Sequence, residues 1–158
     1  MSIEKGRAYC RALGLEDRVR EFSVSSATVE LGAQALGVDG ARVAKTLSFK
    51  TPEDCMLILA AGDARIDNRK FKDFFHMKAK MLSADEVMEL VGHPVGGVCP
   101  FGIREDIPVY LDESLKLHDT VYPAAGTDHS AVRLGVEELE QACGSAEWVD
   151  VCKLSEPM

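Results

Sequence analysis

ARVAKTLSFKTPEDCMLILA, residues 41–60, is the stretch whose reading decides the fold. Asp39-Gly40 marks a turn ahead of it, and Ala41 to Ala44 have the composition of a short helical turn. From Lys45 to Lys50 apolar positions alternate through Leu47 and Phe49, the period of a half-buried strand. Thr51-Pro52-Glu53-Asp54 is a polar turn, and Cys55 to Ala60 is a continuous apolar run short enough for a buried strand. Two strands of a hairpin in one sheet are expected, with Lys45 where the helical turn feeds the first strand.

Working outward, residues 2–13 have helical spacing, with Ile3, Ala8, Ala12 and Leu13 available for a buried face and Gly14 as the stop. Arg18 to Val24 reads as a short strand ending at a Ser25-Ser26 cap, followed by a helix through Val29, Leu31 and Leu36 to Gly37. Asp67 can cap a helix that carries Phe71, Phe74 and Phe75 on one face, and Ser83 to Glu86 form a capping box for a helix ending at Gly92. Short strands are expected at Pro108–Leu111, Thr120–Ala124 and Ser130–Leu134. A helix follows over Val136–Cys143, and a last strand uses Trp148, Val149 and Val151. Strands and helices mix without strict βαβ alternation. The expected class is therefore α+β, with a mixed, mostly antiparallel, barrel-like sheet surrounded by helices.

The 158 residues suit one domain over 1–158, and 46% hydrophobic content suffices for one core. No apolar run would span a membrane, and charges at Glu4, Lys5 and Arg7 are unlike a signal peptide, so a cytoplasmic protein with no membrane partner is expected. Five cysteines without a CxxC pair, and four scattered histidines, argue for reduced thiols and no metal. The net charge of −8 disfavours a general nucleic-acid coat. Between Arg65 and Lys80, however, six basic residues stand against Asp67 and Asp73, enough for a few salt-sensitive phosphate contacts. Arg69, Lys70 and Lys72 are the candidate contacts, although the same charges also suit the solvated face of an amphipathic helix.

Three segments carry possible chemistry. GHPVGGVCPFG, residues 92–102, packs four glycines and two prolines into eleven residues. Its glycines permit close backbone approach, and its N–H groups could stabilise an ester oxyanion; it could equally be a tight crossing from helix to strand. Lys45 could bind a phosphate or carbonyl oxygen as a compact cation, or lay its stem over apolar neighbours. In AAGTDHS, residues 124–130, Asp128 could hold a substrate amino group and His129 could act as a base, or the segment is a polar turn around Gly126.

Together ARVAKTLSF, GHPVGGVCPFGI and AAGTDHSAVRL, followed by the helix GVEELEQAC, resemble the YbaK/ProX family of prolyl-tRNA-associated editing domains in order and separation. The resemblance runs from about Val24 to Cys143 and implies a barrel-like sheet with surrounding helices. It also implies hydrolysis of mischarged aminoacyl-tRNA, chiefly tRNA for proline carrying a small non-cognate amino acid, without cofactor or metal. Lys45 matches the family's active-site lysine. Gly97, Val98, Cys99, Pro100 and Gly102 match the loop that lies against the ester, and Gly126 falls in the small-residue turn near the pocket. By the same reading Lys45, Gly97, Val98, Cys99 and Gly102 are catalytic. Thr46, Gly96, Pro100, Phe101, Gly126 and Thr127 line the substrate, and Asp128 and His129 join them on their side-chain chemistry and not through the resemblance. Implied partners are aminoacyl-tRNA and an aminoacyl-tRNA synthetase. Two alternatives stay open: a catalytically silent tRNA- or synthetase-binding module, and a thiol hydrolase using Cys99 with His93 or His129 as base.

Overall fold

The computed structural model describes residues 2–23, 29–38, 40–93, 97–103, 106–127, 129–144 and 146–154. In chain order its elements are α1 (Ser2–Ala12), β1 (Val19–Glu21), α2 (Val29–Leu36), β2 (Val43–Lys50), β3 (Cys55–Ala61), β4 (Ala64–Ile66), α3 (Asn68–Phe75) and α4 (Ala84–Glu86). There follow β5 (Val109–Asp112), β6 (Thr120–Pro123), β7 (Ser130–Val132), β8 (Leu134–Gly135), α5 (Val136–Ala142), β9 (Glu147–Val149) and β10 (Cys152–Leu154). The expected turn at Asp39, the strand end at Val24 and the cap at Ser25-Ser26 lie outside the described residues.

The hairpin read from residues 41–60 is present: a helical turn at Gly40–Arg42 leads into β2, which pairs antiparallel with β3 from Ala44↔Ala61 to Lys50↔Cys55. Its connection is held by Thr51, whose hydroxyl accepts from the Asp54 N–H at 2.9 Å. All seven residues of β3 are buried, because β3 sits inside a six-stranded sheet of order β8-β6-β2-β3-β5-β9 with packing on both faces. The fold is α+β, and the mixed sheet curls as a half-barrel with helices around it. Four of the pairings among the described residues are antiparallel and three parallel, the parallel ones being β2–β6, β3–β5 and β5–β9 in the central sheet.

Side-chain alternation along β2 and β3 divides the interior. Ala44 and Leu59 pack on one face with Cys99, Phe101, Leu111, Leu115 and Val121. Phe49, Met56, Ile58 and Ala60 pack on the other with Phe71, Val149, Val151 and Cys152.

Several local expectations are corrected. In α1, Ala8, Ala12 and Leu13 are exposed, and the buried positions are Gly6 and Cys10 with Ile3 and Tyr9 partly covered. Gly6 sets that rotation, since a Cβ there would lie 2.2 Å from the Ala125 carbonyl oxygen, so only glycine lets the helix approach so closely. In α3, capped by Asp67 as expected, Phe71 is fully buried, but Phe74 is 44% exposed and meets Phe75 edge-on. The apolar face of this helix is too narrow for three rings. The last strand is two, separated by Asp150-Val151. The Asp112 carboxylate accepts from the Val151 N–H at 3.0 Å, and the Val151 carbonyl accepts from Asp67 N–H at 2.9 Å, which draws the chain from β5 across to β4. There β10 pairs antiparallel with β4, a three-residue strand too short to leave a periodic signal.

Candidate active site

The glycine-rich loop and the 124–130 turn meet. A Cβ on Gly97 would lie 2.5 Å from Thr127 N and 2.7 Å from the Gly126 carbonyl carbon, so the two backbones are in direct contact through the missing side chain. The turn reaches this position because β6 runs parallel to β2, with Val43↔Tyr122 and Ala44↔Pro123 in register, and residues 124–127 continue from its end. Lys45 follows Ala44 on the neighbouring strand. The glycine-rich loop and the turn thus converge at the C-terminal end of β6 on the Ala44 face of the sheet, beside the Lys45 backbone, whereas the Lys45 side chain leaves β2 on the opposite face.

The turn is organised by Ser130, which is 2% exposed. Its hydroxyl oxygen accepts from the N–H groups of Ala125 at 3.2 Å and Thr127 at 3.3 Å, and its proton is donated to the Thr127 carbonyl at 3.0 Å. Thr127 Oγ1 in turn lies 3.1 Å from Ser130 Oγ and accepts from the His129 N–H. The His129 carbonyl accepts from Phe22 N–H at 2.7 Å, tying the turn to the end of β1. Gly126 has φ +108°, so the turn needs glycine there.

The opposite loop is held from beneath. His93 is fully buried, and its Nε2–H donates to the Phe101 carbonyl at 2.7 Å. Burial is the main reason its pKa falls below the ordinary histidine value, with nearby Lys5 adding to the effect. Cys99 lies under the loop with Sγ 3.6 Å from His93 Nε2 and 3.8 Å from the Phe101 carbonyl. Phe101 is itself buried, its ring tilted against Tyr9 of α1 with centroids 5.9 Å apart, so this ring belongs to the core. Gly102, at φ +72°, lies under Lys5, where a Cβ would be 2.9 Å from the Lys5 carbonyl oxygen. Gly97 and Cys99 are buried residues, yet among the described residues the N–H groups of Gly97, Val98 and Cys99 meet no hydrogen-bond acceptor. Buried N–H groups are nearly always paired within a protein, so a run of unpaired ones suits an oxygen of a bound substrate.

Lys45 shares its strand face with Leu47 and Phe49, the side opposite Ala44, and its Nζ donates to the carbonyl of Ala64 at the start of β4. The ammonium therefore lies beside the β4–β10 ribbon, near enough to Cys152 to oppose the burial that pushes that thiol up to about 12. Thr46 points to the other face, and its buried hydroxyl has no hydrogen-bond partner among the described residues. Gly96 and Asp128 lie outside the described residues.

The arrangement disfavours a thiolate mechanism. Complete burial pushes the Cys99 thiol well above the ordinary cysteine range, and the nearest histidine nitrogen carries its proton toward Phe101 and so has no lone pair for the thiol. Cys10 is pushed up to about 11 and Cys143 to about 12, chiefly by burial. Among the described residues no group of three or more His, Cys, Asp or Glu side chains could hold a metal, and no helix is long and apolar enough to cross a membrane.

Of the basic residues on α3, Lys70 is engaged: its Nζ lies 3.1 Å from an Asp150 carboxylate oxygen and 3.1 Å from the Cys152 carbonyl. Arg69 and Lys72 are exposed and make no ion pair among the described residues. The roles of Ser130 and of the Lys5-Gly6 turn of α1 were missed in the sequence, and His93, considered there as a base for Cys99, instead supports the Phe101 carbonyl. The one local hint was Gly6, a poor helix former placed mid-helix.

Residues 24–142 match the family model of the aminoacyl-tRNA editing domain. The uncharacterized protein YwhH of Bacillus subtilis (strain 168) is 49% identical over 97% of this chain and 98% of its own length. Proline–tRNA ligase of the same strain is 31% identical over 72% of this chain, and the match spans 21% of the ligase. Among solved structures, that of a candidate trans-editing enzyme for prolyl tRNA synthetase superposes with a TM-score of 0.86 at 29% identity, covering 96% of this chain and 97% of that chain.

Proposed function

This chain belongs to the aminoacyl-tRNA editing domain family, and from that premise we propose that it hydrolyses the ester of mischarged aminoacyl-tRNA in trans, with tRNA for proline carrying a small non-cognate amino acid as substrate. The observation that supports this reading is the contact of Gly97 with Gly126-Thr127, together with N–H groups of residues 97–99 that meet no acceptor among the described residues. An aminoacyl ester is already activated, so orientation and a preorganised oxyanion site supply most of what hydrolysis needs. Water attacks the carbonyl carbon, and the loop N–H groups donate to the oxygen as it becomes negative. Collapse breaks the acyl–ribose bond, and the ribose oxygen takes up a proton. Thr46, Thr127 and His129 present polar groups to the amino acid on the loop's face of β2, while the charge of Lys45, on the other face, holds the terminal phosphate of the aminoacyl end. A hydrophobic pocket separates neighbouring amino acids by only about 1–3 kcal/mol per methylene, so a second site that removes errors has a physical rationale.

The test is a deacylation panel: tRNA for proline charged with alanine, cysteine, serine, threonine, 2-aminobutyrate or proline. At least one small non-cognate ester should be released faster than the prolyl ester. Binding without release of any of them would favour the silent module. In the same assay Cys99→Ser should keep turnover within about tenfold, since a hydroxyl can still donate to the Phe101 carbonyl and the mechanism uses the backbone at this position. Complete inactivation, with an acyl-thiol trapped on the parent protein, would restore the thiol route.

Arg69 and Lys72 are proposed to meet phosphates. Reversing both to Glu should flatten the slope of log affinity for tRNA against log salt by about 1.4–1.8, as about 0.7–0.9 is expected per phosphate contact. Superimposable titrations of labelled tRNA would return α3 to an ordinary solvated face.

A further inference from the structure

The β4–β10 ribbon carries an arrangement that stability does not explain. Arg65 and Lys153 are directly opposite each other in antiparallel register, flanked by the pairs Ala64↔Leu154 and Ile66↔Cys152. Opposite residues of such a pair project to the same side, with Cβ atoms about 4.5–5.5 Å apart, where like charges repel. Ala64 and Cys152 are buried while Arg65 and Lys153 are exposed, so both charges stand on the outer side of the ribbon. Neither makes a salt bridge among the described residues. The carboxylate of Asp67, close enough to feel Lys153, is occupied in accepting the Arg69 and Lys70 N–H groups at 3.1 and 3.2 Å. Asp150 is paired with Lys70, and Asp63, exposed in the turn before β4, bridges to neither cation.

The location adds a second argument. The first residue of β4, Ala64, supplies the carbonyl that receives the Lys45 ammonium, so the Arg65–Lys153 pair begins one residue from the atom that holds Lys45. On a chain of net charge −8, most of the surface repels a polyanion, and contact with one must be local. We propose that the β4–β10 ribbon, through Arg65 and Lys153, docks the phosphate backbone of the RNA whose aminoacyl end lies at Lys45. This rests on the reading of the chain as an aminoacyl-tRNA hydrolase. It differs from the α3 contacts in that strand register itself fixes the two cations side by side, whereas Arg69 and Lys72 also fit the solvated face of any amphipathic helix.

The experiment titrates labelled, uncharged tRNA for proline with the full chain at several salt concentrations, comparing wild type with R65E/K153E and the milder R65Q/K153Q. R65E/K153E should bind about tenfold or more weakly near 0.1 M salt, and R65Q/K153Q should lower the salt slope by about 1.4–1.8, two phosphates' worth. The single variant K153E should raise Tm by about 1–3 °C, because it replaces repulsion across the ribbon by attraction, and yet weaken tRNA binding. Opposite movements of stability and affinity are the signature of a docking pair. Unchanged affinity and slope in both double variants would overturn the proposal, as would a loss of affinity in R65Q/K153Q that tracks a fall in Tm, or a wild-type chain that binds no tRNA. If wild type releases no amino acid from any charged tRNA but R65E/K153E still weakens tRNA binding, the hydrolase reading fails and the ribbon site stands. If wild type does release it and the variants bind normally, the ribbon site fails and the hydrolase reading stands.

Discussion

Lys45→Ala is expected to reduce deacylation of every susceptible charged tRNA by about 100-fold or more, the range seen when one preorganised electrostatic donor is removed from an active site. Folding should change far less. The substitution deletes the hydrogen bond from Nζ to the Ala64 carbonyl, but Lys45 is only partly buried, so water can replace the ammonium there. A net cost of about 1 kcal/mol corresponds to about 2–4 °C in Tm for a chain of this size. Lys45→Arg separates charge from shape: a guanidinium keeps the charge but not the compact ammonium geometry, and it should recover only part of the activity. The measurements are single-turnover deacylation together with thermal unfolding of the same preparations. Near-normal turnover by Lys45→Ala on all substrates would remove this residue from the mechanism.

Gly97→Ala should be damaging for a different reason. The added Cβ would stand 2.5 Å from Thr127 N, 2.6 Å from Thr127 Cα and 2.7 Å from the Gly126 carbonyl carbon. All three are backbone atoms, which cannot rotate away as a side chain would, so the loop and the turn must part. Overpacking of this kind costs about 1–3 kcal/mol. A displacement of about 1 Å between catalytic groups can cost about 100-fold in rate. Gly144→Ala supplies the control. Gly144 has φ +69° with nothing within 4 Å of its would-be Cβ, so alanine there is strained by about 1–2 kcal/mol without pushing on the loop. Comparable losses of Tm in the two variants, with turnover lost only in Gly97→Ala, would show that the contact between the loops matters for turnover. Full activity in a folded Gly97→Ala protein would show that it does not.

The hairpin, the Asp67 and Ser83 caps, and the glycine stops at Gly37 and Gly92 were legible because each is a local device. The polar turn between two apolar runs, the side-chain oxygen at an N-cap and the residue that accepts a left-handed φ are all specified within a few positions. Where local signals misled, packing had the deciding vote. Apolar spacing in α1 nominated Ala8, Ala12 and Leu13, but the rotation of the helix was set by Gly6 against Ala125, 119 positions away in sequence. Phe74 obeyed the helical spacing of Phe71 and Phe75 yet stayed exposed, since the core beneath α3 is filled by Phe49, Phe71 and Val149. The cation cluster at 65–80 was visible in composition. That Lys70 is neutralised by Asp150, and that Arg65 faces Lys153, depended on the return of the C-terminal segment to β4.

By itself, then, the sequence determined the α+β class, the β2–β3 hairpin and most helix boundaries, and it singled out the three segments proposed to carry chemistry. Each is encoded by periodicity or by residues in one short stretch. Tertiary structure decided what those segments face. It closed Gly97 onto Gly126-Thr127, made Ser130 the hub of the turn and His93 the support beneath Phe101, and aimed Lys45 at the β4–β10 ribbon. The contacts of Gly97 with Thr127 and of Lys45 with Ala64 join segments far apart in the chain through sheet order and strand register, which no local pattern specifies, and the shorter-range bonds of Ser130 and His93 form only once the turn and the loop have been brought to their places.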